Sequence, residues 1–207
     1  YSLPEDRVAA VTYLASEIDE SLAYGPEPVP PQPYYLYVGS RVRYKNFDGL
    51  LSAFTRAASS RPDIRLCVVG QSFDELELKL IADLKLTEHV LNYGHVPDSH
   101  LAKLYRHSVA FVCSSLYEGF GIPLLEAMAC GTVVVASDCS SIPEVVGDAG
   151  VLFDPRATDD LADILIHLLE STTERERLIA KGYVRARLFS WDKTAAQTIE
   201  VYRSVSA

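Results

Sequence analysis

Short apolar runs alternate along this chain with longer segments in which apolar residues recur every three or four positions. The short runs are rich in β-branched and aromatic residues and predict buried strands, whereas the longer segments predict amphipathic helices. The predicted strands cover residues 34–39, 64–69, 90–93, 109–113, 133–137 and 150–153. Strands that alternate with helices in this way indicate an α/β protein with a doubly wound, mostly parallel sheet and helices on both faces.

The predicted helices fill the segments between these strands. We expect the first to begin with Asn46 as its N-cap and to bury one face, formed by Phe47, Leu50, Leu51, Phe54 and Ala58. The others are predicted at 74–84, at 99–106 with Leu101, Leu104 and Tyr105 inward, near Pro143, and at 158–169, 173–188 and 191–205. Ahead of the first core strand we expect a short strand over 7–13 and an irregular, proline-rich connector over 17–32.

Composition limits the class of protein. With 207 residues, 48% hydrophobic and 23% charged, the chain is long enough for one substantial core and unlike a disordered or fibrous protein. The formal net charge of −9 argues against nucleic acid as a partner, which requires a basic surface. No apolar run is long enough for a membrane span, and no signal-peptide pattern is present. We expect a piece of a longer cytoplasmic protein.

The residues that most often bind metals or form disulfides are dispersed. Cys67, Cys113, Cys130 and Cys139 are widely spaced, which predicts reduced, mostly buried thiols and no disulfide framework. The histidines show no spacing typical of a metal site, and no Asp-x-Asp pair at a strand end would hold a metal against a diphosphate. We therefore expect a mechanism without a metal.

The segment after the strand at 109–113 carries the densest set of candidate functional residues. The chain passes through Gly119 and Gly121 before Pro123, which favours the first position of a helix. In an open α/β sheet ligands bind outside the carboxyl ends of the strands, and glycines there leave N–H groups free for an anion. Taken singly, Glu118 reads as a solvated loop carboxylate and Glu126 as an acid that complements the helix dipole. Together in one loop they predict a site for a polar ligand.

A second candidate loop follows the first core strand. Between Gly39 and Asn46 it carries three cations, Arg41, Arg43 and Lys45. A cation has the wrong sign for the N-terminus of the helix that follows, and a bound anion would remove that conflict. The alternative is a basic loop that is simply solvated. We interpret the loop as an anion site.

A longer motif links these observations to a known family. It reads Glu118-Gly119-Phe120-Gly121-Ile122-Pro123-Leu124-Leu125-Glu126-Ala127-Met128-Ala129-Cys130-Gly131. It resembles the two glutamates separated by seven residues in retaining glycosyltransferases of family 4, and the resemblance extends over nearly the whole chain. That family has the GT-B fold, in which two Rossmann-like domains face each other. The resemblance implies an inter-domain linker over 1–33 and a nucleotide-sugar-binding domain over 34–207, with the N-terminal acceptor domain outside this sequence.

The resemblance also implies roles for individual residues. Lys45 and an arginine would bind the donor diphosphate; Ser40 stands where the family usually has that arginine, so Arg41 is our choice and Arg43 stays open. Glu126 would accept hydrogen bonds from the ribose hydroxyls, and Glu118 would lie near the sugar ring, as a nucleophile or as an electrostatic stabiliser. The remaining donor-binding residues would be Gly39 and Ser40, Gly94, His95 and Val96 at the base, and Gly119, Phe120, Gly121 and Ile122 at the sugar or phosphate.

The function implied by the resemblance is retaining transfer of a hexose to a glycan or lipid-linked acceptor. The donor would be a GDP- or UDP-sugar, and the motifs look most like those of mannosyltransferases that use GDP-mannose, with no cofactor and no metal. The resemblance allows peripheral association of the full-length protein with the inner face of a membrane, and it implies that this fragment alone transfers no sugar. A non-catalytic nucleotide-sugar-binding module is the alternative; a sugar-nucleotide epimerase would share the fold but lack the Glu-Gly-Phe-Gly loop.

Overall fold

The computed structural model describes residues 13–205, so most of the strand predicted over 7–13 lies outside the described residues. Six strands form one sheet. They are β1 (Tyr34–Val38), β2 (Arg65–Val69), β3 (Val90–Gly94), β4 (Ala110–Cys113), β5 (Val134–Ser137) and β6 (Gly150–Phe153). Each of the six predicted core strands is confirmed, and its ends fall within one residue of the prediction.

The sheet is parallel throughout, in the order β3-β2-β1-β4-β5-β6. The chain therefore builds outwards from β1 to β3 and then returns to place β4 on the other side of β1, where Leu36 pairs with Phe111. Such a reversal opens a crevice at the carboxyl ends of the two central strands, because the connections on either side lead away from each other. The two loops singled out by the sequence leave β1 and β4, and both therefore border this crevice.

Eight α-helices connect and follow the strands within the described residues. They are α1 (Phe47–Ser60), α2 (Glu75–Asp83), α3 (Asp98–His107), α4 (Ile122–Ala129), α5 (Ile142–Val146), α6 (Thr158–Glu170), α7 (Thr172–Ala186) and α8 (Trp191–Val205). The connector over 17–32 is irregular as predicted, apart from one 3-10 turn at Glu20–Leu22. In the same described part of the chain, no helix is long and apolar enough to cross a membrane.

Side chains of β1 alternate between two cores, one on each face of the sheet. Tyr35 and Tyr37 pack with α1, α2 and α6, whereas Tyr34 and Leu36 pack with α3, α4 and α5. Successive strand residues point to opposite faces, so a strand buried on both sides needs the continuous apolar run that the sequence shows. The doubly wound α/β arrangement with helices on both faces is thereby confirmed.

One local prediction is wrong. Asn46 occupies the N-cap position of α1 but adopts a left-handed conformation (φ 52°), and its side chain caps nothing. It donates instead to the carbonyl oxygen of Pro155 at 3.0 Å, which ties the loop after β1 to the loop after β6. In α3, Leu104 and Tyr105 are buried and Leu101 packs half-buried against the same core, as predicted, and Ala102 is buried beside them. The four cysteines are unpaired, as expected.

Candidate functional site

The loops after β1 and β4 are joined by hydrogen bonds at the crevice. The backbone N–H of Leu116 donates to the carbonyl of Tyr44 at 2.7 Å. The buried hydroxyl of Ser114 lies 3.1 Å from the carbonyls of both Lys45 and Asn46. These contacts fix the short 3-10 turn that carries Lys45 against the end of β4, so that a lysine and a glutamate 73 positions apart in sequence become neighbours.

Lys45 and Glu118 form the charged centre of this crevice. Lys45 Nζ lies 2.7 Å from Glu118 Oε1, and their side chains are 21% and 13% exposed. The pair borders a small cavity of about 40 Å³, which is also lined by Tyr37, Cys113 and Pro123. Both residues were predicted as site residues, and the fold brings them together.

Glycines end the three strands on one side of the crevice. Gly39, Gly70 and Gly94 have positive φ angles of 125°, 153° and 64°. A Cβ on Gly70 would lie 2.5 Å from the carbonyl oxygen of Gly39, a contact that no side chain could accept. Gly70 is itself buried against Gly39, whereas a Cβ on Gly39 or Gly94 would meet nothing within 4 Å. This glycine edge is therefore open to a close approach by a ligand at Gly39 and Gly94. Gly70 was predicted only as the end of its strand; its position directly after β2 is the signal that would have identified it.

Arg41 makes its contacts with the segment between β2 and α2. Its Nε and Nη2 donate to the two carboxylate oxygens of Glu77 at 2.6 and 3.1 Å, and Nη2 also reaches the carbonyl of Ser72 at 2.9 Å. The guanidinium lies over the rings of Phe47 and Phe73 and is 5% exposed, and its buried Nη1 has no partner among the described residues. Arg41 therefore forms its ion pair with Glu77, whereas Lys45 forms its ion pair with Glu118. The neighbouring Arg43 is exposed.

Glu126 lies on α4, on the face that packs towards α3. Its Oε2 accepts a hydrogen bond from the hydroxyl of Tyr105 at 3.0 Å. Burial raises the pKa of Glu126, and the negative charge of Asp98 adds to that shift. Burial likewise raises the pKa of Tyr105 well above its usual range, so the phenol remains a donor. Glu126 is thus a partly buried acceptor, separate from the Lys45–Glu118 pair.

The loop between Glu118 and α4 combines an open and a strained glycine. A Cβ on Gly119 would meet nothing within 4 Å. Gly121, at the N-cap of α4, has φ 94°, and a Cβ there would lie 2.6 Å from Leu124 Cδ1. Pro123 lies in the first turn of α4, which begins at Ile122, as the sequence predicted. The N-terminus of α4 borders the crevice, because Gly121, Pro123 and Leu124 line the small cavity beside Lys45 and Glu118. Pro123 has no N–H and that of Leu124 donates to the carbonyl of Gly121 at 2.9 Å, so the helix end offers an anion chiefly its positive dipole.

Phe120 and the segment after β3 occupy the margins of the crevice. The ring of Phe120 lies 6.3 Å from that of Tyr13 and 6.0 Å from that of Phe189, so it packs against the segment before the connector and the entry to α8. His95 is exposed, and Val96 is half-buried against the core on the α3 side. Residues 13–205 contain no group of three His, Cys, Asp or Glu side chains that could hold a metal.

Four serines around Glu118 were missed as site residues. Ser115 Oγ donates to Glu118 Oε1 at 2.6 Å. Ser140 and Ser141 fix the backbone of Glu118, the first by accepting from its N–H at 2.9 Å and the second by donating to its carbonyl at 3.0 Å. The fourth, Ser114, holds the Lys45 turn as described above. The only sequence signal was a serine pair after each of two neighbouring strands, β4 and β5.

Comparisons with known proteins agree with this geometry. A family model described as "Glycosyl transferases group 1" matches residues 26–185. The chain is 38% identical over 175 residues to the O-antigen chain mannosyltransferase B of Escherichia coli, covering 83% of this chain and 46% of that protein. It is 42% identical over 133 residues to the MMP alpha-(1->4)-mannosyltransferase of Mycolicibacterium hassiacum, covering 62% of this chain and 32% of that protein.

Solved structures show the same fold. The sucrose-phosphate synthase of Thermosynechococcus elongatus superposes with a TM-score of 0.75 at 29% identity, covering 86% of this chain and 46% of that chain. The chain thus spans less than half the length of each of these relatives.

Proposed function

This chain belongs to the glycosyl transferases of group 1, and from that membership we propose that it is the donor-binding domain of a hexosyltransferase that moves mannose from a nucleotide sugar. One observation carries the proposal: the Lys45–Glu118 pair and the N-terminus of α4 line the same small cavity at the carboxyl ends of β1 and β4. A cation, the positive end of a helix dipole and a carboxylate within one crevice suit a ligand that has both an anionic and a hydroxyl-rich part. A nucleotide sugar has both.

The diphosphate of the donor would lie against Lys45 and the N-terminus of α4. The ammonium of Lys45 has three donors, of which Glu118 occupies one, so two remain for phosphate oxygens. Exposed Arg43 supplies a second cation from the same turn. Arg41, held by Glu77, would support the loop and contribute through Nη1 only if the loop moved.

The two glutamates would recognise the two sugars of the donor. Glu126 would accept the ribose hydroxyls, because it already holds an acceptor position against Tyr105 at the edge of α4. Glu118 would face the transferred hexose. The base would bind over Gly94, His95 and Val96, where Gly94 has no side chain and open space surrounds its Cβ position.

The chemistry that this arrangement favours is departure of the nucleoside diphosphate. As the anomeric C–O bond breaks, negative charge grows on the diphosphate and positive charge on the sugar. Lys45 and the helix N-terminus would stabilise the first, and the carboxylate of Glu118 would stabilise the second. Such preorganised charges need no metal. We extend the proposal to retention of configuration and to a glycan or lipid-linked acceptor held by the remainder of the longer protein.

The proposal is tested with the full-length protein and a panel of GDP-, UDP- and ADP-sugars. A ligand at 100 times its dissociation constant stabilises the folded state by about 2.7 kcal/mol, which a thermal-shift measurement resolves. We expect GDP-mannose to give the largest shift in melting temperature. It should also be the donor from which the enzyme transfers mannose to an acceptor. Stabilisation by sugar nucleotides without any turnover would favour the non-catalytic module. Absence of stabilisation by all of them would refute donor binding.

A further inference from the structure

The carboxylate of Glu118 is held through only one of its oxygens. Oε1 accepts from Lys45 Nζ at 2.7 Å and from Ser115 Oγ at 2.6 Å, and the thiol of Cys113 lies 3.8 Å from the same atom. No donor from residues 13–205 contacts Oε2. Two strong donors satisfy the lone pairs of Oε1, so Oε2 is the oxygen left for a ligand.

Ser115 is the more rigid of the two donors. It lies two residues after the end of β4 and is 2% exposed. Its backbone carbonyl accepts a hydrogen bond from the thiol of Cys139 at 3.2 Å. A serine hydroxyl has one proton, and here that proton is committed to Glu118. Lys45, by contrast, reaches Glu118 through a long flexible stem and carries a charge that does not fix direction. The orientation of the carboxylate therefore depends chiefly on Ser115.

This difference gains importance when a donor binds. In the proposed function, on which this inference rests, the ammonium of Lys45 binds the diphosphate as well as Glu118. An ammonium shared between phosphate and carboxylate holds each less firmly. Ser115 makes no such second contact, and so it can keep Glu118 in place during the reaction.

We propose that Ser115 is a positioning residue that fixes the carboxylate of Glu118 by Oε1 and presents Oε2 to the transferred sugar. A displacement of a reacting group by about 1 Å can slow a reaction about 100-fold, which is why the orientation of this carboxylate matters. Ser115 itself does not touch the donor in this arrangement. Its effect passes entirely through Glu118.

A buried serine on the neighbouring strand supplies a matched control. Ser137, the last residue of β5, is as buried as Ser115, but its hydroxyl donates to the backbone carbonyl of Cys113 at 3.2 Å and to no carboxylate. In the full-length enzyme we expect Ser115→Ala to lower kcat about tenfold, the effect of losing one hydrogen bond to a charged group, with little change in KM for the donor. Ser115→Thr keeps a hydroxyl and should recover most of kcat. Ser137→Ala should lower thermal stability at least as much as Ser115→Ala but leave kcat within about twofold of the wild type.

A double variant separates positioning from a general structural role. If Ser115 acts through Glu118, Ser115→Ala should cause no further loss of kcat in an enzyme that already carries Glu118→Gln. An equal loss in both backgrounds, or an unchanged kcat in Ser115→Ala, would overturn the proposal.

A binding measurement keeps the test independent of turnover. The ratio of the dissociation constants of the nucleotide sugar and its nucleoside diphosphate isolates the contribution of the sugar. We expect Ser115→Ala and Glu118→Gln to change this ratio in the same direction and by a small factor, in keeping with the small change expected in KM, and an effect of Glu118→Gln alone would overturn the inference. If the wild-type enzyme transfers no sugar, the proposed function fails, while this ratio still decides the role of Ser115.

Discussion

Arg41 and Glu77 form a two-point ion pair that ties the loop after β1 to the first turn of α2. Glu77 has a second task, because it also closes the capping box of α2 with Asp74: its Oε2 accepts from the N–H of Asp74 at 2.9 Å, and its own N–H donates to Asp74 Oδ1 at 2.8 Å. The pair therefore couples the glycine edge of the crevice to the start of a helix that lies outside it.

Removing the charge of Glu77 should destabilise the fold. Glu77→Gln would leave the guanidinium of Arg41, 5% exposed, without its carboxylate, and an uncompensated buried charge costs about 3–5 kcal/mol. Urea unfolding of the variant and the wild type measures this difference. Asp83→Asn is the control, because it breaks the exposed Lys79–Asp83 pair on the same helix and should change little. A similarly small effect of both substitutions would contradict a stabilising role for the buried Arg41–Glu77 ion pair.

Gly119 and Gly121 should respond differently to alanine. Gly119 has open space around its Cβ position, so Gly119→Ala should preserve the melting temperature. It should weaken donor binding, because the proposed function puts the sugar or phosphate of the donor against Gly119. Gly121→Ala should lose stability by about 1 kcal/mol or more, because its backbone is left-handed and Leu124 must move. Melting curves and titration with a nucleotide sugar distinguish the two. Unchanged donor affinity in Gly119→Ala would place the donor elsewhere.

Lys45→Ala should weaken binding of a nucleoside diphosphate about tenfold or more. A charge-assisted hydrogen bond contributes roughly 1.5–3 kcal/mol, and Lys45 is the cation that the crevice holds in place. Affinity for the nucleoside alone should change little, because it has no phosphate. Calorimetric titration with both ligands measures the contrast, and Lys79→Ala on α2 serves as the matched control. An equal loss for both ligands would indicate a folding defect rather than a lost phosphate contact.

Without a bound ligand, the free energy of unfolding should depend on pH in a way that reflects the raised pKa of Glu126. Burial raises its pKa in the folded state, so the folded protein disfavours the ionised form relative to the unfolded chain. The resulting cost is absent below the ordinary carboxyl range and becomes complete once the pH exceeds the raised folded pKa. We therefore expect Glu126→Gln to match the wild type in acid and to be more stable than it at neutral pH. Urea unfolding across this range tests the sign, and a variant that is less stable at neutral pH would contradict it.

Substitutions of Glu118 and Glu126 should affect different kinetic parameters. Glu126→Gln removes an acceptor for a ribose that is bound alike before and during reaction, so it should raise KM for the donor and leave kcat nearly unchanged. Glu118→Gln acts where charge develops and should lower kcat about 100- to 1,000-fold. Steady-state kinetics of the full-length enzyme with the donor varied measures both parameters. The reverse pattern would exchange the roles of the two carboxylates.

The sequence by itself determined the elements and their class. β1 reads as a continuous apolar run because Tyr34 and Tyr35 enter opposite cores, and α1 shows its buried face at helical spacing because one side packs on the sheet. The spacing of apolar residues indicates which face of a strand or helix is buried, and this spacing can be read directly from a sequence. The glycine-bearing loop before α4 was equally visible, since Gly121 and Pro123 have conformational requirements that are properties of the residues themselves.

Only the tertiary structure decided which polar groups became partners. Lys45 could not be paired with Glu118 from sequence, because their contact depends on β4 lying beside β1 after the chain reverses direction. Arg41 appeared to be one more cation of an anion loop until the fold placed Glu77 beside it, and Asn46 exchanged its expected cap for the carbonyl of Pro155. Hydrogen bonds and ion pairs act over a few ångströms and need defined directions, so they form only between groups that the packed strands and loops have already brought into place.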